Sequence, residues 1–135
     1  MPRLVGIDYG KKRTGIAETD DMQIIAAGLT TVETAKLIDF LTDYFAKNEV
    51  EKMVIGESFN LEGGHNPIEK EVQIFIKKIR KLFPAIEIVR EDERYTSKMA
   101  FEAMIQGGLK KKKRRDKAMI DQVSAALILQ GYLYK

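Results

Sequence analysis

Cysteine and tryptophan are absent from this 135-residue chain, histidine occurs once and proline three times. Without cysteine there can be neither a disulfide framework nor a thiolate metal site. A single histidine excludes a zinc centre built from several imidazoles of the chain. Any metal must therefore be held mainly by oxygen, which favours Mg2+ or Mn2+. No apolar run approaches the roughly 20 residues of a membrane span. Met1-Pro2-Arg3 leads straight into a strand pattern, without the apolar core of a signal peptide. The expectation is a cytoplasmic protein without a membrane partner. No repeat, linker or composition break divides the chain. Residues 1–135 are read as one domain, long enough for a proper core.

What is present is unevenly placed. The formal net charge is +3, yet Lys110, Lys111, Lys112, Lys113, Arg114 and Arg115 form a block of six cations that leaves −3 on the remainder. Basic character this local suits a partner with closely spaced phosphates. A solvated basic loop without a partner is the plainer alternative.

The opening segment Val5-Gly6-Ile7-Asp8-Tyr9-Gly10-Lys11-Lys12-Arg13-Thr14-Gly15 carries the most chemistry. An apolar run ends in an aspartate, followed at once by glycines and three cations. A carboxylate at the end of a core strand is costly to bury unless it has a cation to hold. Glycines beside it let a bulky anion approach the backbone. The pattern points to a metal-binding carboxylate beside a phosphate-binding turn. A β-hairpin with a polar turn is the alternative.

Periodicity predicts strands at Leu4–Asp8, Gly15–Thr19 and Ile24–Thr30, then a helix with its stripe at Leu37, Ile38, Leu41, Tyr44 and Phe45. Met53–Gly56 reads as a short buried strand. Asn66-Pro67-Ile68-Glu69 resembles a capped helix start, with Val72, Phe75, Ile76, Ile79 and Leu82 as the apolar stripe and Pro84 as the stop. Ile86–Val89 is a fifth strand. A third helix from Thr96 or Ser97 to Gly107-Gly108 and a last helix from Lys117 to Leu133 complete the order β-β-β-α-β-α-β-α-α. That order suits an α/β fold, a mixed five-stranded sheet flanked by helices.

With this order, three segments carry a resemblance that runs from end to end: Gly6 to Gly15, Glu91-Asp92-Glu93-Arg94-Tyr95-Thr96-Ser97, and Asp121 to Leu133. The chain resembles the YqgF/RuvX family of Holliday junction resolvases and pre-16S rRNA nucleases, within the ribonuclease H-like superfamily. The resemblance implies a metal-dependent endonuclease acting on structured RNA or branched DNA. It implies that Asp8, Glu93 (with Asp92 beside it) and Asp121 are catalytic carboxylates and metal ligands, with Mg2+ or Mn2+ as cofactor. The sequence chemistry agrees, since paired divalent ions about 3.5–4 Å apart are held by carboxylates from distant parts of a chain. A helix-start charge for Asp121, and an acidic loop pairing with Arg90 and Arg94 for Asp92 and Glu93, are the alternatives.

One segment departs from the family. Where the family reads Gly-Leu-Pro after its fourth strand, this chain has Gly56-Glu57-Ser58. In the related RuvC resolvases a glutamate near this point is a metal ligand, so Glu57 is read as a fourth carboxylate, a replacement for Glu93, or a surface residue. His65 lies in a glycine-rich loop and is either a proton carrier or simply exposed. Lys11, Arg13, Arg94 and the block Lys110–Arg115 are the candidate phosphate contacts, which position a substrate without reading bases. Tyr9 and Tyr95 are read as packing residues. A symmetric junction would favour a two-fold homodimer, whereas a single cut in RNA needs only a monomer. Two other classes stay open: a phosphoryl-transfer domain of the hexokinase–actin kind, for which a second phosphate loop is missing, and a non-catalytic RNA- or ribosome-binding module.

Overall fold

The computed structural model describes residues 2–60, 62–93 and 117–134. The expected third helix, Arg94, Tyr95 and the block Lys110–Arg115 lie outside the described residues. The chain opens with an antiparallel meander of β1 (Arg3–Asp8), β2 (Arg13–Thr19) and β3 (Ala26–Glu33). A short 3-10 turn leads into α1 (Leu37–Lys47), followed by β4 (Val50–Glu57), α2 (Glu69–Leu82), β5 (Glu87–Asp92) and α3 (Lys117–Leu133). The strands form one mixed sheet in the order β3-β2-β1-β4-β5. β4 runs parallel to both β1 and β5, with Ile7 opposite Ile55 and Glu57 opposite Asp92. The carboxyl ends of β1, β4 and β5 therefore share one edge of the sheet.

Strand alternation divides the core into two layers. Val5, Ile7, Met53 and Ile55 face α1 and α2, where Leu37, Leu41, Phe75, Ile76 and Ile79 meet them. Leu4, Ala17 and Val54 face the other way, onto Ala125, Ile128 and Leu129 of α3. Burying each larger side chain in these layers stabilises the fold by about 1.5–3 kcal/mol. The helix α3 lies directly on the backbone of the meander. A Cβ at Gly15 would overlap the carbonyl oxygen of Asp121, so only glycine lets helix and strand approach this closely.

Several element ends differ from expectation: β2 starts at Arg13, β3 runs on to Glu33, β4 spans Val50–Glu57 and β5 extends to Asp92. β3 begins at Ala26, because the Asp20 carboxylate accepts hydrogen bonds from the amides of Ile24 and Ile25 (2.8 and 2.9 Å) and holds them in the loop. Asn66 does not cap α2. Its side-chain amide donates to Ser58 Oγ and the Phe59 carbonyl, tying the loop to the end of β4. Leu82 is 54% exposed, while Phe83 just beyond it packs on Phe45, with ring centroids 4.8 Å apart.

Candidate active site

Alternation decides which acidic side chains can meet. Asp8 follows Leu4 and Gly6 onto the α3 side of β1. Along β5, Val89 packs on the α3 side and Ile88 on the other, so Glu91 and Glu93 point toward α3 and Arg90 away from it. Asp121 arrives on the same side from the first turns of α3. Glu93 completes the grouping from just beyond β5, where its amide donates to the Glu57 carbonyl (3.1 Å). Its carboxylate occupies the space that a side chain at position 56 would take. A Cβ on Gly56 would overlap Glu93 Oε2 and crowd Ile128 Cδ1 at 2.7 Å. Gly56 is thus the residue that admits Glu93.

Asp8 and Glu93 share a side-chain hydrogen bond. Burial pushes the Asp8 carboxyl well above the usual carboxylate range, and the charges of Glu93 and Asp121 push it the same way. Burial also raises Glu93, opposed by the hydrogen bond from Asp8 and the charge of Arg90. Two neighbouring carboxylates this deeply placed cannot both ionise cheaply without a cation between them. An all-oxygen donor set that gains from a cation fits a hard divalent ion such as magnesium or manganese.

The third carboxylate is answered by the opening turn. Arg13 Nε donates to Asp121 Oδ2 at 3.0 Å, joining the start of β2 to α3 across 108 residues of sequence. The turn itself is braced from behind. Thr34 Oγ1 donates to the Gly10 carbonyl (2.6 Å) and lies 2.9 Å from Thr14 Oγ1, while the Thr34 amide donates to the Lys12 carbonyl (2.9 Å). Lys11 and Lys12 stay exposed on this braced turn. Tyr9 packs on Phe75, with ring centroids 5.3 Å apart.

Glu57 leaves β4 on the α2 side, opposite the face shared by Asp8 and Glu93. His65 Nε2 lies 2.8 Å from Glu57 Oε2, and its ring stacks on Phe59 at 4.9 Å. One ligand atom each from Glu57, His65 and Glu69 falls within 4.8 Å of the others. Both Glu69 oxygens, however, are engaged. Arg90 grips them as a fork at 2.7 and 2.8 Å, and Gln73 Nε2 donates to Oε2 at 2.6 Å. Arg90 also donates to the carbonyls of Ile55 (3.3 Å) and Gly56 (2.9 Å). This second grouping is an ion-pair network that fixes the ends of β4 and β5 against α2. Sequence reasoning missed it, offering for Arg90 only the alternative of a pairing with the acidic loop. Strand parity in Ile88-Val89-Arg90 was the available signal, but it names no partner on α2. Asp92, opposite Glu57 in register, shares the Arg90 side of β5.

A sheet ordered β3-β2-β1-β4-β5, with carboxylates from β1, from beyond β5 and from a helix laid across the meander, defines the ribonuclease H-like class. Solved structures agree on that fold. The chain superposes on Thermus thermophilus RuvC in complex with a Holliday junction substrate with a TM-score of 0.59 and 18% identity, covering 99% of this chain and 96% of that one. RuvC alone gives a TM-score of 0.55 at 16% identity, covering 98% and 95%. The family model described as "RuvX: Holliday junction resolvase" matches residues 2–135, and the chain belongs to this family of nucleases. A protein of Christiangramia forsetii named "Putative pre-16S rRNA nuclease" is 51% identical over the full length of both chains. Its namesake in Flavobacterium psychrophilum is 53% identical over 98% of this chain and 97% of its own. No helix among the described residues is long and apolar enough to cross a membrane.

Proposed function

We propose that the chain, acting as one domain, is a divalent-metal-dependent endonuclease that hydrolyses phosphodiester bonds in structured nucleic acid. The observation that carries this reading is the convergence of Asp8 and Glu93 on one shared hydrogen bond, with the charge of Asp121 beside them. Asp8, Glu93 and Asp121 are the residues that would hold Mg2+ or Mn2+. When bound at such a site, divalent ions supply a water of lowered pKa and neutralise charge on the scissile phosphate. The side chains prepare for this in distinct ways. Asp8 and Glu93, each raised by burial, would hold the cation as carboxylates, its charge offsetting their mutual repulsion. Arg13 keeps Asp121 oriented, and its remaining guanidinium nitrogens can hold a substrate phosphate. Lys11 adds a second positive charge on the braced turn. Glu57 stands outside the ligand set in this reading, because its carboxylate is engaged by His65.

The names of the relatives and of the family suggest two substrates, pre-16S rRNA, which we read as cut at its 5' end, and the Holliday junction. Backbone contacts alone cannot choose between them, since lysine and arginine on phosphate read no sequence. The discriminating experiment is cleavage of a labelled panel in magnesium: a pre-16S rRNA leader fragment, a four-way junction and a linear duplex. A metal-dependent cut in the leader or the junction, with the linear duplex spared, supports the reading. Binding of all three without a cut under any metal condition would favour a non-catalytic module and sink the nuclease assignment.

A further inference from the structure

The helix α2 carries charge that neither the core nor the carboxylate cluster uses. Its buried face is apolar, and its one buried acid, Glu69, is neutralised by Arg90. On the outside, Lys70, Lys77, Lys78 and Lys81 are all exposed. At 100° per residue these four fall within an arc of about 100°, with the exposed Ile74 among them. None of the four forms an ion pair with a described residue. A stripe of unpaired like charges on one helix face repels itself, in a chain whose charge outside the block Lys110–Arg115 is −3. A solvated face needs only mixed charge, and α1 on the same side of the sheet has that, with Lys47 on Asp43 at 3.1 Å.

The stripe is also continuous with the candidate site. Lys11 of the opening turn and Lys70 line one groove of about 440 Å³ with Pro67, Ile68 and Glu71, the one acid at the border of the lysine face. Tyr9, next to Asp8, lines a smaller hollow of about 180 Å³ with Thr34 and Lys78. From Lys70 to Lys81 the helix advances about 16 Å, close to five phosphate steps along one strand of duplex at roughly 3.4 Å each. We infer that the lysine face of α2 is a second phosphate track, which holds an arm of the nucleic-acid substrate leading away from Lys11 and the carboxylates. The occupant is a nucleic-acid backbone, whose regularly spaced phosphates match four cations that pair with no described residue. The inference rests on the nuclease reading for its substrate, but assigns that substrate a path on the opposite side of the sheet from α3.

The test is binding by fluorescence anisotropy, with the full chain and, in turn, a labelled four-way junction and an rRNA leader fragment in calcium, between 50 and 300 mM salt. The quadruple variant Lys70→Gln, Lys77→Gln, Lys78→Gln, Lys81→Gln should bind at least tenfold more weakly at 150 mM salt. Its log–log salt slope on the junction should fall by up to about 3.6, since each phosphate contact contributes about 0.9. The matching quadruple Lys→Arg variant should bind like the wild type, because it keeps the charges. Thermal unfolding of both variants should match the wild type, as the four side chains are exposed and form no ion pair with a described residue. An unchanged slope and affinity in the glutamine variant, beside a wild type that binds, would overturn the track and leave the nuclease reading standing. A wild type that binds no nucleic acid would overturn both.

Discussion

Asp8 shows how much chemistry a single position can expose in sequence and how much it can withhold. An aspartate closing an apolar strand is legible as an expensive residue with a purpose, and the cations that follow suggest an anion nearby. Its partners are not legible, because Glu93 and Asp121 come from residues 85 and 113 positions further on, and only the sheet order brings them together. The choice among Glu57, Asp92 and Glu93 was open in the sequence for a related reason. Side-chain direction follows strand register, and a one-residue shift exchanges the two faces. The structure sends Glu93 to the Asp8 side and Glu57 to His65. The Asp8 proton yields a measurable pH dependence. Its carboxyl binds a proton more tightly folded than unfolded, so it adds stability below the ordinary carboxylate range, near about pH 4. That contribution is lost as pH rises through the elevated folded value. In EDTA, the urea midpoint of the wild type should therefore decline relative to that of Asp8→Asn between mildly acidic and neutral pH. Parallel curves for the two proteins would contradict the raised Asp8 carboxyl.

Elements were legible where their periodicity was strong and their ends were not borrowed by other parts of the chain. The apolar stripes of α1 and α2 and the alternation of β1 and β4 carried through to the core. The ends did not, because side chains that suit caps were engaged elsewhere: Asn66 by the Ser58 loop, Asp20 by its own hairpin, Glu69 by Arg90. The Arg90–Glu69 pair deserves separate weight at this scale. It joins β5 to α2 and also satisfies two carbonyls at the end of β4. Removing one member leaves a buried charge unmatched, so Glu69→Ala should lower unfolding free energy by roughly 3–5 kcal/mol, read from urea denaturation. Arg90 holds the Glu69 carboxyl below the usual glutamate range, so this contribution is present above that range. It fades as pH falls through the depressed folded value, and the difference between wild type and Glu69→Gln should narrow in acid. A difference constant with pH would mean that the pair is not charged in the folded protein.

For the whole molecule, the order β-β-β-α-β-α-β, with a last helix at Lys117, was enough to expect a mixed five-stranded sheet. A meander of three strands and two parallel additions leaves few arrangements of short, right-handed connections. The close seating of α3 on the meander was not legible, since the glycine at position 15 is explained equally well by a turn until the helix is in place. The basic block Lys110–Arg115 belongs to this scale as a partner signal. Replacing four of its six cations with Ser or Gln should weaken binding to duplex and single strand by similar factors. It should also lower the duplex salt slope by about 0.9 per lost contact. Turnover at saturating substrate should fall much less than affinity, because in this reading the block grips the backbone and the carboxylates perform the chemistry. Equal affinity and slope would reduce the block to a solvated loop.

The account turns on the three carboxylates holding a catalytic cation, and one measurement addresses that directly. Cleavage of a labelled junction or rRNA leader should be absent in EDTA, return on adding excess magnesium or manganese, and stay absent for Asp8→Asn under every metal condition, with the variant folded and still able to bind substrate. Robust cleavage by the wild type in EDTA, or near-native cleavage by Asp8→Asn in magnesium, would contradict it.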